Sequence, residues 1–251
     1  MGLLVDKVAV VSGSTSGIGR AIAERFAAEG ARVVVNSVRS VDEGRAFAAS
    51  LPDAVYVRAD VSVDDEARTL VAAALERWGG VDVVVNNAGA ADMIDHRDLD
   101  ALTDDVWRRM LDVNLMGTWY LSRAAVAPMR EGGGGSIVNI SSLAGVHPTG
   151  SGSCIAYGVA KAAVNHLTVL LANAFGEDGI QVNAIAVGPI ETPMWKLDME
   201  EVRRRTRKTT VLGRPGLPSE VAQYCLMLAA PGFATAQVLV VDGGMQFRVP
   251  R

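Results

Sequence analysis

"VAVVSGSTSGIGRAIAERFAAEG", Val8 to Gly30, decides how the rest of the chain is read. Its first four residues are an unbroken apolar run. Such a run, without polar alternation, marks a strand buried on both faces. Apolar residues then recur at helical spacing, and Gly30 closes the pattern. Between strand and helix lies a turn with glycines at Gly13, Gly17 and Gly19, the other positions being Ser14, Thr15, Ser16 and Ile18. Backbone N–H groups and the positive end of a helix dipole meet there, which suits a phosphate. Gly13 permits the tight turn. Gly17 and Gly19 let backbone approach a pyrophosphate and let the helix pack on the strand. Gly13 to Gly19 is therefore a candidate dinucleotide cradle, although a turn chosen for packing alone would also use glycine.

The same alternation continues downstream. "RVVVNS", "AVYVRADV", "VDVVVNNAG", "GSIVNISS", "IQVNAIAVG" and "QVLVVDGG" read as further strands. "DDEARTLVAAALERWG", a long region from about Asp104 to Arg130, a run through Tyr157 and "PSEVAQYCLMLAA" read as helices. Strands alternating with helices give parallel, right-handed βαβ units. The expectation is an α/β fold: one domain over residues 1–251, a doubly wound parallel sheet of about seven strands with helices on both faces. Ligands of such sheets sit at the carboxyl ends of the strands. The glycine run "EGGGGS" joins a helix to a strand and is read as a surface loop. Residues 191–218 break the rhythm and are read as a lid over the substrate.

The totals exclude several roles. With 28 acidic against 24 basic side chains the net charge is -4, which gives nucleic-acid binding no electrostatic support. The two cysteines, Cys154 and Cys225, have no metal-binding spacing, so no metal is expected and both are read as free thiols in a reducing compartment. "MGLLVDKVAVV" is too short and charged for a secretory signal, and Asp6 breaks the myristoylation pattern. No apolar run is read as approaching the ~20 residues that span a bilayer. The expectation is a soluble cytoplasmic protein.

"SCIAYGVAKAAVNHLTVLLANAF" places a phenol and an ammonium in apolar company. On a helix Tyr157 and Lys161 lie one turn apart on one face. A free phenol has a pKa of about 10, and a nearby cation lowers it, which suits proton exchange with a ketone or alcohol. An anchored Tyr beside a Lys reaching for water is the plainer alternative.

"SGSTSGIG", "NNAG", "NISS", "YGVAK" and "VDGG", in that order, resemble the short-chain dehydrogenase/reductase family from Lys7 to about Gly244. The resemblance implies a Rossmann sheet, a nicotinamide dinucleotide and a catalytic tetrad of Asn114, Ser142, Tyr157 and Lys161. Ser142 would orient and polarise the carbonyl. Tyr157 would be the acid in reduction and the base in oxidation. Lys161 would lower the phenol pKa and hold the nicotinamide ribose. Asn114 would disturb its helix and hold a water linked to the Lys. Asp60 and Val61 would meet adenine, and Asn87, Ala88 and Gly89 would form the adenosine-side turn. In "AVGPIETPM", Val187 stands where the family usually has Pro, while Gly188, Ile190 and Thr192 keep the nicotinamide-side pattern. Spacing between Ser142 and Tyr157 suggests about two extra residues in "LAGVHPTGSGSCIA". Ala236, where Gly often precedes the last strand, is read as a small change.

An acid at the end of the second strand would favour NAD. Here the position is Ser37, or else Asn36, and Arg39 follows within reach of a 2′-phosphate. This favours NADP, with NAD kept open. Met194, Trp195 and Leu197 give the lid an apolar face. Arg203, Arg204, Arg205, Arg207 and Lys208 could attract an anionic handle, but a solvated face partly balanced by Glu200 and Glu201 is preferred. Apolar surface on the long helices, together with the resemblance, implies a homotetramer. The leading expectation is an NADP-dependent reductase of a ketone, such as a 3-oxoacyl thioester. The alternatives are an NAD-dependent dehydrogenase of a sugar, steroid or other secondary alcohol, and a non-catalytic sensor.

Overall fold

The opening strand, β1 (Val8–Val11), lies inside a seven-stranded sheet. A computed structural model describes residues 2–148, 154–195 and 198–247. After β1 come α1 (Gly17–Ala28), β2 (Arg32–Ser37), α2 (Val41–Ser50), β3 (Ala54–Arg58), α3 (Asp64–Trp78) and β4 (Val83–Asn86). The second half contains α4 (Asp104–Leu111), α5 (Gly117–Glu131), β5 (Gly135–Ser142), α6 (Ile155–Phe175) and β6 (Ile180–Val187). It ends with α7 (Met199–Thr209), α8 (Pro218–Ala229) and β7 (Val238–Val241). The strand order is β3-β2-β1-β4-β5-β6-β7, and all pairs are parallel. The order reverses between β1 and β4, the switch point where such sheets bind ligands.

The unbroken apolar strands feed two cores, because successive side chains point to opposite faces. Ala9, Val11, Val33, Val35, Val83 and Val85 pack with Ile22 and Phe26 of α1, Phe47 of α2 and Val221 of α8. Val8, Val10, Val34 and Val84 pack on the other face with Leu70 of α3, Leu121 of α5 and Leu171 of α6.

The structure corrects the sequence reading at three places and bears it out at a fourth. Helix α2 is present where no helix was expected. It is short and carries Gly44, but Phe47 and Ala48 are buried, and a side chain at Gly44 would strike the Tyr56 ring at 2.2 Å. The helical region from Asp104 carries a π turn over Asp112–Met116, the disturbance that the resemblance implied at Asn114. A helix of membrane-spanning length and composition does exist: Ile155–Asp178 has a mean hydropathy of 1.4. Here α6 packs against β5, β6 and α4, so its apolar residues serve this fold. Ala236 is not a small change from Gly, since its φ of 59° lies in the left-handed region.

Candidate active site

The β1–α1 turn forms as the glycine spacing requires. Gly13 and Gly17 have φ values of 61° and 54°. A side chain on Gly19 would meet Asn87 Nδ2 at 2.3 Å and the Gly13 carbonyl oxygen at 2.4 Å. The turn is clamped from both sides. Asn87 Nδ2 donates to the carbonyls of Ser12 and Gly13, and the Gly13 amide donates to Asn36 Oδ1. Ser12 Oγ accepts from the amides of Asn87 and Ala88. Ser14 Oγ donates to the Val11 carbonyl and accepts from the Asn36 amide. Ser16 stands at the N-cap of α1 without a side-chain cap bond, so its hydroxyl does not take up the N–H groups of the first helical turn. A tight, glycine-rich turn ending in a helix whose N-cap makes no side-chain bond fits a pyrophosphate.

The other sequence candidates distribute around this turn. Thr192 lies over Gly17, where an added Cβ would be 3.4 Å from its methyl group. Gly188 abuts Asp242 and donates its amide to the Val241 carbonyl. Ile190 is buried and bridges to Gly216. Val61 is buried, and Asp60 accepts from the amide and hydroxyl of Ser62. Asn87 is tied to the glycine turn, whereas Gly89 lies beside Asn114 Oδ1 and Lys161 Nζ. The Asn87–Gly89 turn therefore spans from one region to the other.

The structure also removes one candidate for nicotinamide choice. Asn36 Nδ2 donates to the carbonyls of Val57 and Ala59, so its whole amide is spent on backbone. Ser37 is buried, and its hydroxyl bonds the Ser40 carbonyl and Tyr56 Oη. Arg39 is exposed. Tyr56 had no signal in the sequence, because its pairing with Ser37 arises from the β2–β3 register.

The four tetrad candidates meet at the carboxyl ends of β4 and β5. Ser142 ends β5, with its Oγ accepting from the Ala144 amide at 3.2 Å. Ser141 instead bonds the Lys161 carbonyl. Asn114, fully buried, sits in the π turn; its Nδ2 donates to the carbonyls of Ala90 and Met110, and its Oδ1 accepts from the Ala90 amide. Lys161 Nζ donates to the Ile140 carbonyl at 2.9 Å and lies 5.7 Å from the Tyr157 ring centre.

Burial lowers the Lys161 pKa to about 8. Burial also raises the Tyr157 pKa, a hydrogen bond with Ser142 opposes this, and Cys154 adds to the rise. The expected lowering of the phenol is thus not what the protein alone gives: loss of hydration costs the phenolate more than the Ser142 hydrogen bond returns.

Ser142 and Tyr157 open into a cavity of about 300 Å³. Its walls include Ile18, Gly188, Ile190 and Thr192 on the cofactor side and Leu143, Ala144, Met93 and Met245 around the reacting end. Met194, Trp195, Val202, Arg205, Thr206 and Thr209, all from the 191–218 segment, line it as well. Met93 and Met245 had no local sequence signal. Leu197, and residues 149–153 of the loop before Tyr157, lie outside the described residues. Cys154 is buried and His147 is exposed, its ring bonded to the Pro148 carbonyl. In the basic segment Arg203 forms a two-pronged pair with Glu191, while Arg204 and Arg205 share Glu201. Glu191 joins the expected acids: it pairs Arg203 directly, while Glu200 acts on Arg203 only through its charge.

A doubly wound sheet, a glycine-rich turn at its switch point, and Ser142 and Tyr157 on one cavity with buried Lys161 beside the Tyr157 ring fit a nicotinamide-dependent oxidoreductase. Residues 13–246 match the family model described as enoyl-(acyl carrier protein) reductase. The chain belongs to the short-chain dehydrogenase/reductase family. It is 49% identical to a Streptomyces violaceoruber protein assigned as ketoacyl reductase 2 of the granaticin polyketide synthase, over 94% of this chain and 95% of that one. It is 41% identical to the 3-alpha-(or 20-beta)-hydroxysteroid dehydrogenase of Mycobacterium bovis, over 97% and 90%. It is 36% identical to a Chlamydia trachomatis 3-oxoacyl-[acyl-carrier-protein] reductase, over 97% and 99%. The chain is an NAD(P)-dependent oxidoreductase acting between C=O and CH–OH.

Proposed function

We propose that this enzyme reduces a ketone with an apolar body, of the 3-oxoacyl thioester class, using NADPH. The observation that carries the reading is the placing of Ser142 and Tyr157 on one largely apolar cavity beside the glycine cradle. Gly13 to Gly19, Asp60, Val61, the Asn87–Gly89 turn, Gly188, Ile190 and Thr192 would hold the dinucleotide. Bound nicotinamide supplies the hydride.

Ser142 Oγ donates to the carbonyl oxygen of the substrate and polarises it. Tyr157 Oη gives its proton to that oxygen as negative charge builds there, and burial, which keeps the phenol protonated, favours this direction. Lys161 supplies a cation beside the emerging phenolate and N–H groups for the ribose. Asn114 holds the turn at Ala90 against the π turn and keeps the Lys161 end of the site in place. Residues 191–218 serve as the lid. The absence of an acid at Ser37, with Arg39 exposed beside it, supports NADP over NAD. Exposed Val159, Val169 and Leu170 on α6 and Met227 on α8 support a homotetramer. A cytoplasmic setting accords with two free buried thiols.

The test is a side-by-side titration with NADPH and NADH, followed by turnover of 3-oxoacyl thioesters by wild type and Tyr157→Phe. The reading expects tighter NADPH binding, weakened by Arg39→Ala, and loss of turnover in Tyr157→Phe. Tighter NADH binding overturns the cofactor assignment. It would favour the second reading, oxidation of a secondary alcohol with NAD, which the hydroxysteroid dehydrogenase relative supports. Full activity in Tyr157→Phe overturns the catalytic assignment.

A further inference from the structure

Arg205 is the one charged residue among the described residues that line the cavity. It reaches the wall because α7 presents Val202, Arg205, Thr206 and Thr209, spaced as one helical face. Val202 and Thr206 are buried on that face, which fixes the helix and directs the Arg205 stem along it. The charge there is not balanced. Glu201 faces both Arg204 and Arg205: Oε1 takes Arg205 Nε at 2.7 Å, and Oε2 takes Arg204. Both pairings hold the Glu201 carboxyl below its ordinary pKa, so it stays ionised, yet one carboxylate cannot neutralise two guanidiniums. A guanidinium has five donors, and the contact to Glu201 uses the Nε–H of Arg205. Arg207 and Lys208 follow on the same helix and add to the positive field.

We propose that Arg205 is an anion-binding subsite at the lid end of the cavity. The enzyme then selects ketones that carry a carboxylate or a phosphate ester remote from the reacting carbonyl. This rests on the reading of the cavity as the substrate site and deepens it. The anion engages the free prongs of Arg205, while the apolar walls cover the chain between it and the ketone. A guanidinium suits either oxyanion, since its planar donors match both.

Two matched pairs of probes distinguish the sources. One pair is a keto acid, with its carboxylate at the far end, and its methyl ester. The other is acetoacetyl-coenzyme A and the neutral N-acetylcysteamine thioester. For each pair the ratio of kcat/KM, anionic over neutral, is measured at low and high salt; where turnover is slow, quenching of tryptophan fluorescence gives the ratio of affinities. Because the readout is a ratio, a general loss of activity cancels. Wild type should prefer the anionic member, less so at high salt. Arg205→Ala should lower the ratio about tenfold, the effect of losing one charge-assisted hydrogen bond. Glu201→Gln, which unties both guanidiniums, should raise it. Arg207→Ala, off the cavity wall, removes only a long-range contribution to the field and should lower it far less than Arg205→Ala does.

A change in the first pair alone assigns a small keto acid, and in the second alone a phosphate-bearing thioester. Equal treatment of the two members by wild type, or a ratio insensitive to Arg205→Ala, overturns the subsite. Tyr157→Phe separates the two readings: if it abolishes turnover while the ratio ignores Arg205, the catalytic reading stands and the subsite falls.

Discussion

Replacing Lys161 by Met should make the folded protein more stable while disabling its chemistry. Lys161 is 5% exposed, and its pKa falls from 10.5 to about 8. At about 1.36 kcal/mol per pKa unit, keeping the proton inside the fold costs on the order of 3 kcal/mol. Methionine has similar length and no charge. It forfeits the bond to the Ile140 carbonyl, worth about 1 kcal/mol. The net gain is about 2 kcal/mol near neutrality, or roughly 4–8 °C in Tm for a chain of this size.

The dependence on pH gives the sharper test. Below pH 8 the folded and unfolded chains both hold the proton, and the full cost is present. Between about 8 and 10.5 the folded lysine has lost its proton while the unfolded one keeps it. The unfolded state then binds more protons, so wild-type stability gains from this group as pH rises. The advantage of Lys161→Met should therefore shrink across that window. Urea or thermal midpoints of both proteins at several pH values measure it. A variant less stable than wild type at neutrality, or a difference that ignores pH, would refute the argument that burial depresses this lysine.

Three further outcomes follow from the same geometry. The kcat/KM of ketone reduction should decline as pH rises through about 8, where Lys161 loses its charge in the free enzyme; a profile flat to pH 10 would separate the cation from catalysis. Gly19→Ala should weaken NADPH binding at least tenfold and lower stability by about 1–3 kcal/mol, because the Gly13 carbonyl is backbone and cannot give way; unchanged titration and Tm would contradict this. Ala236→Gly should raise Tm by a few degrees, since relief of left-handed strain of about 1–2 kcal/mol exceeds the entropy cost of glycine; a lowered Tm would show that the strain is already absorbed.

Sequence alone determined the sheet. Valine runs that feed a core on each face cannot be exposed on either side, so "VAVV", "RVVVNS" and "GSIVNISS" had to be interior strands. It also determined the glycine turn, since positive φ and a blocked Cβ position leave Gly13, Gly17 and Gly19 little choice of residue. The tetrad was legible because its members sit in short motifs at strand ends and on one helical face.

Tertiary structure decided the rest. Whether α2 forms depended on Tyr56 from β3 filling the space above Gly44. Whether Asn36 or Ser37 could face a ribose depended on carbonyls of Val57 and Ala59 and the hydroxyl of Tyr56, on the neighbouring strand β3 or the residue just after it. The direction of the Tyr157 pKa turned on burial, a property of everything packed around the ring and of no residue within its motif. The substrate end was least legible, because Met93, Arg205 and Met245 come from three distant segments that only the fold brings to one cavity.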